Sequence, residues 1–191
     1  MIEHLFPHLP ISSHSYCQEL LDEKPIRCYL AQARTSKWGD FRFKGPIITV
    51  NKNLPPPLFL LTFLHELAHF HTYIAFGRKI SPHGIEWKTT FQELVKPMTE
   101  IGAFGALNDV VTAHMKRPKA TIGADAALHS AALKAMGMDG QQVAELNPGD
   151  TFTFRNERYR VETTLRKRIR CVQISSGKRF LFQPSVQIDM V

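Results

Sequence analysis

The sequence predicts an α+β fold in which residues 1–146 form one domain and residues 147–191 a small all-β module. Three observations carry that expectation. Leu58 to about Phe76 is long, apolar and free of breakers. Short segments of strand character precede it, which predicts a small antiparallel sheet beside the helix. After Asn147-Pro148-Gly149-Asp150 the pattern changes to TFTFRNERYRVE, IRCVQI and FLF, short strands separated by turns.

Taken in order, Ser12-Ser13 ahead of HSYCQELLDE reads as the cap of an amphipathic helix that stops before Pro25. Ile26–Phe43 reads as two strands joined by a turn at Lys37-Trp38-Gly39-Asp40, and PIITVN (46–51) as a third strand. Pro57 suits the start of the long helix and Gly77 its end. A second helix is expected from near Gly84 to about Val95, stopped by Pro97. Ile101 to Met115 reads as loop then helix, and Ala124 to Met136 as a helix closed by Gly137. There is no internal repeat and no low-complexity segment.

Composition narrows the classes. The 191 residues are 43% hydrophobic and 21% charged, enough for a buried core. No apolar run is long enough to cross a membrane, and MIEHLFPHLPISSHS lacks the features of a secretory signal. Cys17, Cys28 and Cys171 stand far apart and include no CxxC pair, which predicts a reducing, cytoplasmic setting without a disulfide framework.

The chemistry-bearing motif is His65-Glu66-Leu67-Ala68-His69 within the long helix. Spacing i, i+4 stacks two imidazoles on one helical face, as a shared tetrahedral zinc ion requires. Glu66 lies beside that face, where a carboxylate can hold a water and take its proton. Phe63, Leu64, Leu67, Ala68 and Phe70 make the helix apolar nearly all round, and burying three polar side chains there is costly unless they are partnered. A catalytic zinc needs a third protein ligand. His83, in the turn Ser81-Pro82-His83-Gly84, is the leading candidate and Glu86 the second. His71 falls on nearly the opposite side of the helix.

HELAH followed by a short loop and HGIEW resembles the SprT-like family of zinc metallopeptidases, which includes the Spartan DNA–protein crosslink proteases. ARTSKWGDFRF and IITVNKNL upstream are similar to the strands that lead into that family's active-site helix. The likeness spans about Ile26 to Met98. It implies a zincin-like core in which substrate lies along the edge strand beside the helix. It also implies one Zn2+ held by His65, His69 and His83, Glu66 as general base, and Trp87 packed behind the site. The chain departs from many relatives in lacking a cysteine zinc ribbon.

The net charge of +7 is uneven. From Asn147 onward there are nine Lys and Arg against four Asp and Glu, whereas the first 146 residues hold fifteen against thirteen. Arg155, Arg158, Arg160, Arg166, Lys167, Arg168, Arg170, Lys178 and Arg179 are interleaved with Phe152, Phe154, Tyr159, Phe180 and Phe182. Such a pattern suits single-stranded nucleic acid, phosphates on the cations and bases on the rings. Strand alternation, however, turns Phe152, Phe154, Tyr159 and Val161 toward the module's own core. A solvated basic face, or an acidic protein partner, answers the same composition.

Three functions therefore compete: a zinc endopeptidase acting on DNA-bound or DNA-crosslinked proteins, a zinc-stabilised nucleic-acid-binding scaffold, and a general cytosolic metallopeptidase. The sequence offers no obvious carbonyl-polarising donor beyond the metal. Tyr73, one turn past His69, is a candidate, but a tyrosine packed on the helix is the reading favoured over it.

Overall fold

A computed structural model describes residues 3–34, 37–138 and 140–190. The chain divides into two compact units, Met1–Leu128 and His129–Val191, each with its own core.

In the first unit, α1 (His14–Glu23) buries Cys17, Leu20 and Leu21, and Tyr16 donates its hydroxyl to the Leu94 carbonyl. The expected serine cap does not form. Ser13 donates its hydroxyl to the Pro10 carbonyl, closing the turn that precedes the helix.

Three strands follow: β1 (Arg27–Ala31), β2 (Gly39–Arg42) and β3 (Ile47–Asn51). The sheet is mixed, which corrects the expected antiparallel one: β3 lies in the middle, parallel to β1 and antiparallel to β2. The hairpin turn is at residues 43–46, where Gly45 takes φ +62, and the 37–40 segment instead leads into β2. Asn51 explains the path. Its buried side-chain amide donates to the carbonyls of Arg34 and Lys37, and its side-chain oxygen accepts from Arg34 Nε at 2.7 Å. The chain leaving β1 is thereby tied across the end of β3, and β2 emerges on the far edge.

α2 (Pro56–Phe76) is the centre of the unit: Leu58 to Leu64, Leu67, Ala68 and Phe70 are all buried. Its buried hydroxyls are satisfied within the helix, Thr62 donating to the Leu58 carbonyl and Thr72 to that of Ala68. The helix ends where Gly77, at φ +70, donates its N–H to the Tyr73 carbonyl. α3 (Ile85–Glu100) runs through Pro97 rather than stopping before it. Proline costs the helix a hydrogen bond, but the extra turn buries Met98, and burying a side chain of that size offsets about 1.5–3 kcal/mol. α4 (Asn108–Met115) and α5 (Ala126–Ala135) follow. His114, buried on α4, binds the Asp125 carboxylate through Nδ1 at 2.7 Å.

The second unit carries a five-stranded antiparallel sheet, as the sequence suggests. Its strands are β4 (Thr151–Phe154), β5 (Glu157–Thr164), β6 (Ile169–Gln173), β7 (Arg179–Phe182) and β8 (Asp189–Met190), in the order β7-β6-β5-β4-β8. Its core joins Phe152, Tyr159, Val161, Ile169, Cys171 and Phe182 to Val143 and Leu146, which precede the Asn147 boundary read from sequence. Arg155 and Asn156 both take positive φ, +50 and +67, as a two-residue hairpin turn requires.

Replacing Asn51 with Ala should leave two loop carbonyls and the Arg34 guanidinium short of a partner. The expected cost is about 1–3 kcal/mol, read as a lower urea midpoint in tryptophan fluorescence, since Trp38 and Trp87 both lie in this unit.

Candidate metal centre

α2 presents His65 and His69 on one face with Glu66 beside it, and the turn before α3 returns His83 to the two histidines. That turn is unusual in its backbone. His83 sits at φ +59, a conformation few non-glycine residues adopt, and Gly84 donates its N–H to the Ser81 carbonyl at 2.9 Å. A side chain at position 84 would meet that same carbonyl at 2.9 Å, so glycine is needed to keep the turn tight.

The result is a convergence of three ring nitrogens. His83 Nε2 lies 3.0 Å from His69 Nε2 and 3.3 Å from His65 Nε2. Nitrogens bound to one tetrahedral zinc at 2.0–2.1 Å stand about 3.3 Å apart, so the spacing fits a shared ion. A hydrogen-bonded trio of neutral imidazoles explains it less well, because each Nε2 either donates or accepts and three cannot all be matched. These three residues could hold a metal ion.

Burial favours the form that ligates. It lowers the pKa of His65 well below its ordinary value, with the neighbouring His69, His83 and His114 adding to the effect. Burial likewise takes His69 down to about 4, and lowers His83. All three imidazoles are therefore neutral at pH 7, as a metal ligand must be. Trp87, fully buried, backs the cluster with ring centroids 4.6 Å from His65, 5.3 Å from His69 and 4.6 Å from His83; Phe91 stacks on it at 4.8 Å.

Glu66 faces β2. Gly39 lies so close that a Cβ there would fall 2.6 Å from Glu66 Oε1 and 2.7 Å from Thr62 Cγ2. Burial pushes the Glu66 pKa up to about 7, and Asp40 adds to the rise, while Arg34, Lys37 and the Phe41 N–H hold it back. A carboxyl poised near neutrality beside the ligand cluster is suited to exchanging a proton.

Other candidates fall elsewhere. Glu86 lies over Gly84 at the first turn of α3 and does not join the cluster. His71 is half-buried away from the cluster, its pKa taken down to about 4 by burial. Tyr73 packs against Phe41 and Phe43, ring centroids 6.0 and 6.4 Å away. Sequence reasoning missed Gly39, for which the small residue in WGD was the sole hint.

In the second unit Arg155, Arg158, Arg160, Arg166, Lys167, Arg168, Lys178 and Arg179 are exposed and Arg170 is half-buried. Two are already engaged: Arg179 pairs with Glu162 at 2.9 Å and Arg170 approaches the same carboxylate at 3.8 Å. Phe152 and Tyr159 belong to the core. Phe180 and Phe182 help line a surface cavity of about 380 Å³ with Phe154, Tyr159 and Arg155.

A histidine pair on a buried helix, a third histidine from a tight turn and a neighbouring carboxyl define the class as a candidate metal-dependent hydrolytic centre. Residues 34–112, a stretch that includes all three histidines, match the SprT-like family, whose known kind is the zinc metallopeptidase. No curated protein and no solved structure matches the chain.

Gly39→Ala tests the placement of Glu66. The backbone at 39 is not in the left-handed region, so the added methyl acts through space alone. Any metal binding by the histidines should persist, while displacement of Glu66 by about an ångström should cost on the order of a hundredfold in any hydrolytic rate.

Proposed function

We propose that the chain is a zinc-dependent endopeptidase with a zincin-like core, in which His65, His69 and His83 hold the ion and Glu66 is the general base. The observation that carries this reading is the convergence of three ring nitrogens next in sequence to a buried carboxyl, Glu66, which packs against Gly39 of β2. A purely structural zinc site has no use for such a group. Zinc bound there would supply Lewis acidity, making a water acidic and polarising a carbonyl.

The chain's own residues supply the rest. Glu66, with a pKa near neutrality, takes a proton from the attacking water on a carboxylate oxygen and passes it to the amine nitrogen that leaves. β2 is an edge strand, its other side paired to β3, and an unpaired edge can accept an extended peptide by main-chain hydrogen bonds. Such a peptide would run past Glu66. Trp87 and Phe91 close the site from behind.

Glu66→Gln removes the base while keeping the side chain's size. Zinc content should be retained, and peptide hydrolysis should fall by a factor on the order of 10² to 10⁴. Retained hydrolysis would favour a scaffold role instead.

A second reading concerns the basic unit: it brings the peptidase to proteins bound or crosslinked to DNA, single strands being preferred. The strand register supports it. Arg158 and Arg160 stand on the outward side of β5, with Tyr159 between them facing the core. Register then sets Val172 and Arg179 alongside Arg160. Together they make a cationic face that a run of phosphates could follow. A single-stranded oligonucleotide should bind with an affinity that falls steeply with salt. Arg158→Ala with Arg160→Ala should lower the log–log salt slope by about 1.4, roughly 0.7 per lost phosphate contact. Salt-insensitive binding, with cleavage indifferent to DNA, would leave a general peptidase.

A further inference from the structure

Along α2, the stripe that carries His65 and His69 continues at the same spacing to Tyr73. Tyr73 is not an isolated ring. Phe41 of β2 lies 6.0 Å from it, and Phe43, in the turn just after β2, lies 6.4 Å from it. An aromatic row thus begins two residues past Gly39, which packs on Glu66, and leads away between the edge strand and the helix.

The far end of the row is open. Phe43 is 44% exposed, in contrast to the buried rings of the core, and the Arg78 guanidinium sits 4.1 Å from its centroid. A half-exposed ring stacked by a cation contributes little to holding helix against sheet. It does make an apolar wall beside the path a peptide would take along β2. Exposed apolar surface next to a hydrolytic centre is the usual form of a side-chain subsite.

We infer that Phe41, Tyr73 and Phe43, bounded by Arg78, form a substrate subsite that takes a large apolar side chain, aromatic above all. The inference rests on the endopeptidase reading. A substrate ring entering there meets Tyr73 and Phe43 in offset or edge-to-face contact, the arrangements aromatic pairs favour. Because the row leads one way from Glu66, the preference falls at one fixed position relative to the bond cleaved. A small or acidic side chain at that position gains none of this contact.

The test uses the full zinc-loaded chain and alanine-based peptides, each with a single phenylalanine moved along the sequence. At one position phenylalanine should raise kcat/KM by about tenfold or more over the all-alanine peptide, and Phe43→Ser should bring the ratio to within about twofold of one. Because Phe43 is exposed, that variant is expected to fold; Tyr73→Ser should act in the same direction. The ratio cancels any general loss of activity. A flat profile in the wild type, or a preference unchanged in both variants, overturns the subsite. The Glu66→Gln protein gives an independent readout, since fluorescence anisotropy should show it binding the phenylalanine peptide more tightly than the alanine one. If wild type cuts no peptide at all, the endopeptidase reading fails by itself, and the binding ratio alone decides the subsite: equal affinities refute it.

Discussion

Everything in the first unit is arranged around the need to bury α2 on nearly every side while it carries polar groups through its middle. An apolar helix of this kind gains most of its stability from being enclosed, and a polar side chain on it is costly unless partnered. His71 Nε2 is buried without a hydrogen-bond partner among the described residues. Thr62 and Thr72 turn inward to the helix's own carbonyls. Glu66 packs against Gly39 of β2. His65 and His69 find the ring nitrogen of His83. The last two solutions both come from neighbouring elements, β2 and the turn before α3, so enclosing the helix and assembling the site are one process.

The sheet serves that arrangement by being mixed. Had β1 and β2 paired directly, β2 would sit inside the sheet with both edges used. With β3 between them, β2 keeps a free edge, and Gly39 and Phe41 lie against α2. Asn51 and Arg34 secure the crossing that makes this possible. The side chain of Arg34 bonds β3 while its charge reaches Glu66, where with Lys37 it opposes the rise that burial and Asp40 impose. Folding and acidity are linked through one loop.

How much of this was written in the chain depends on the range of the interaction. Helix spacing is a local property, so HELAH placed His65, Glu66 and His69 on α2 without any knowledge of tertiary structure. The turn at Ser81–Gly84 was readable from Pro82 and Gly84, and with it His83 as the third histidine. Strand pairing is not local: nothing in RCYLA says that it will lie parallel to IITVN. Pro97 misled because its cost is local and visible, whereas the burial of Met98 that offsets it is neither. The β unit's alternation announced its core rings, but the extra contributions of Val143 and Leu146 came from a segment of no strand character.

Glu162 on β5 holds one arginine from β6 and another from β7. A guanidinium already fixed by a carboxylate has surrendered part of its rotamer freedom, so less is lost when it meets an anion. The same carboxylate competes for it. One isolated phosphate must displace Glu162 from Arg179 with little in return, while a polymer presenting phosphates to Arg158 and Arg160 as well can outbid it. On the nucleic-acid reading proposed above, the face would act as a filter of charge density, indifferent to small anions and responsive to chains of them.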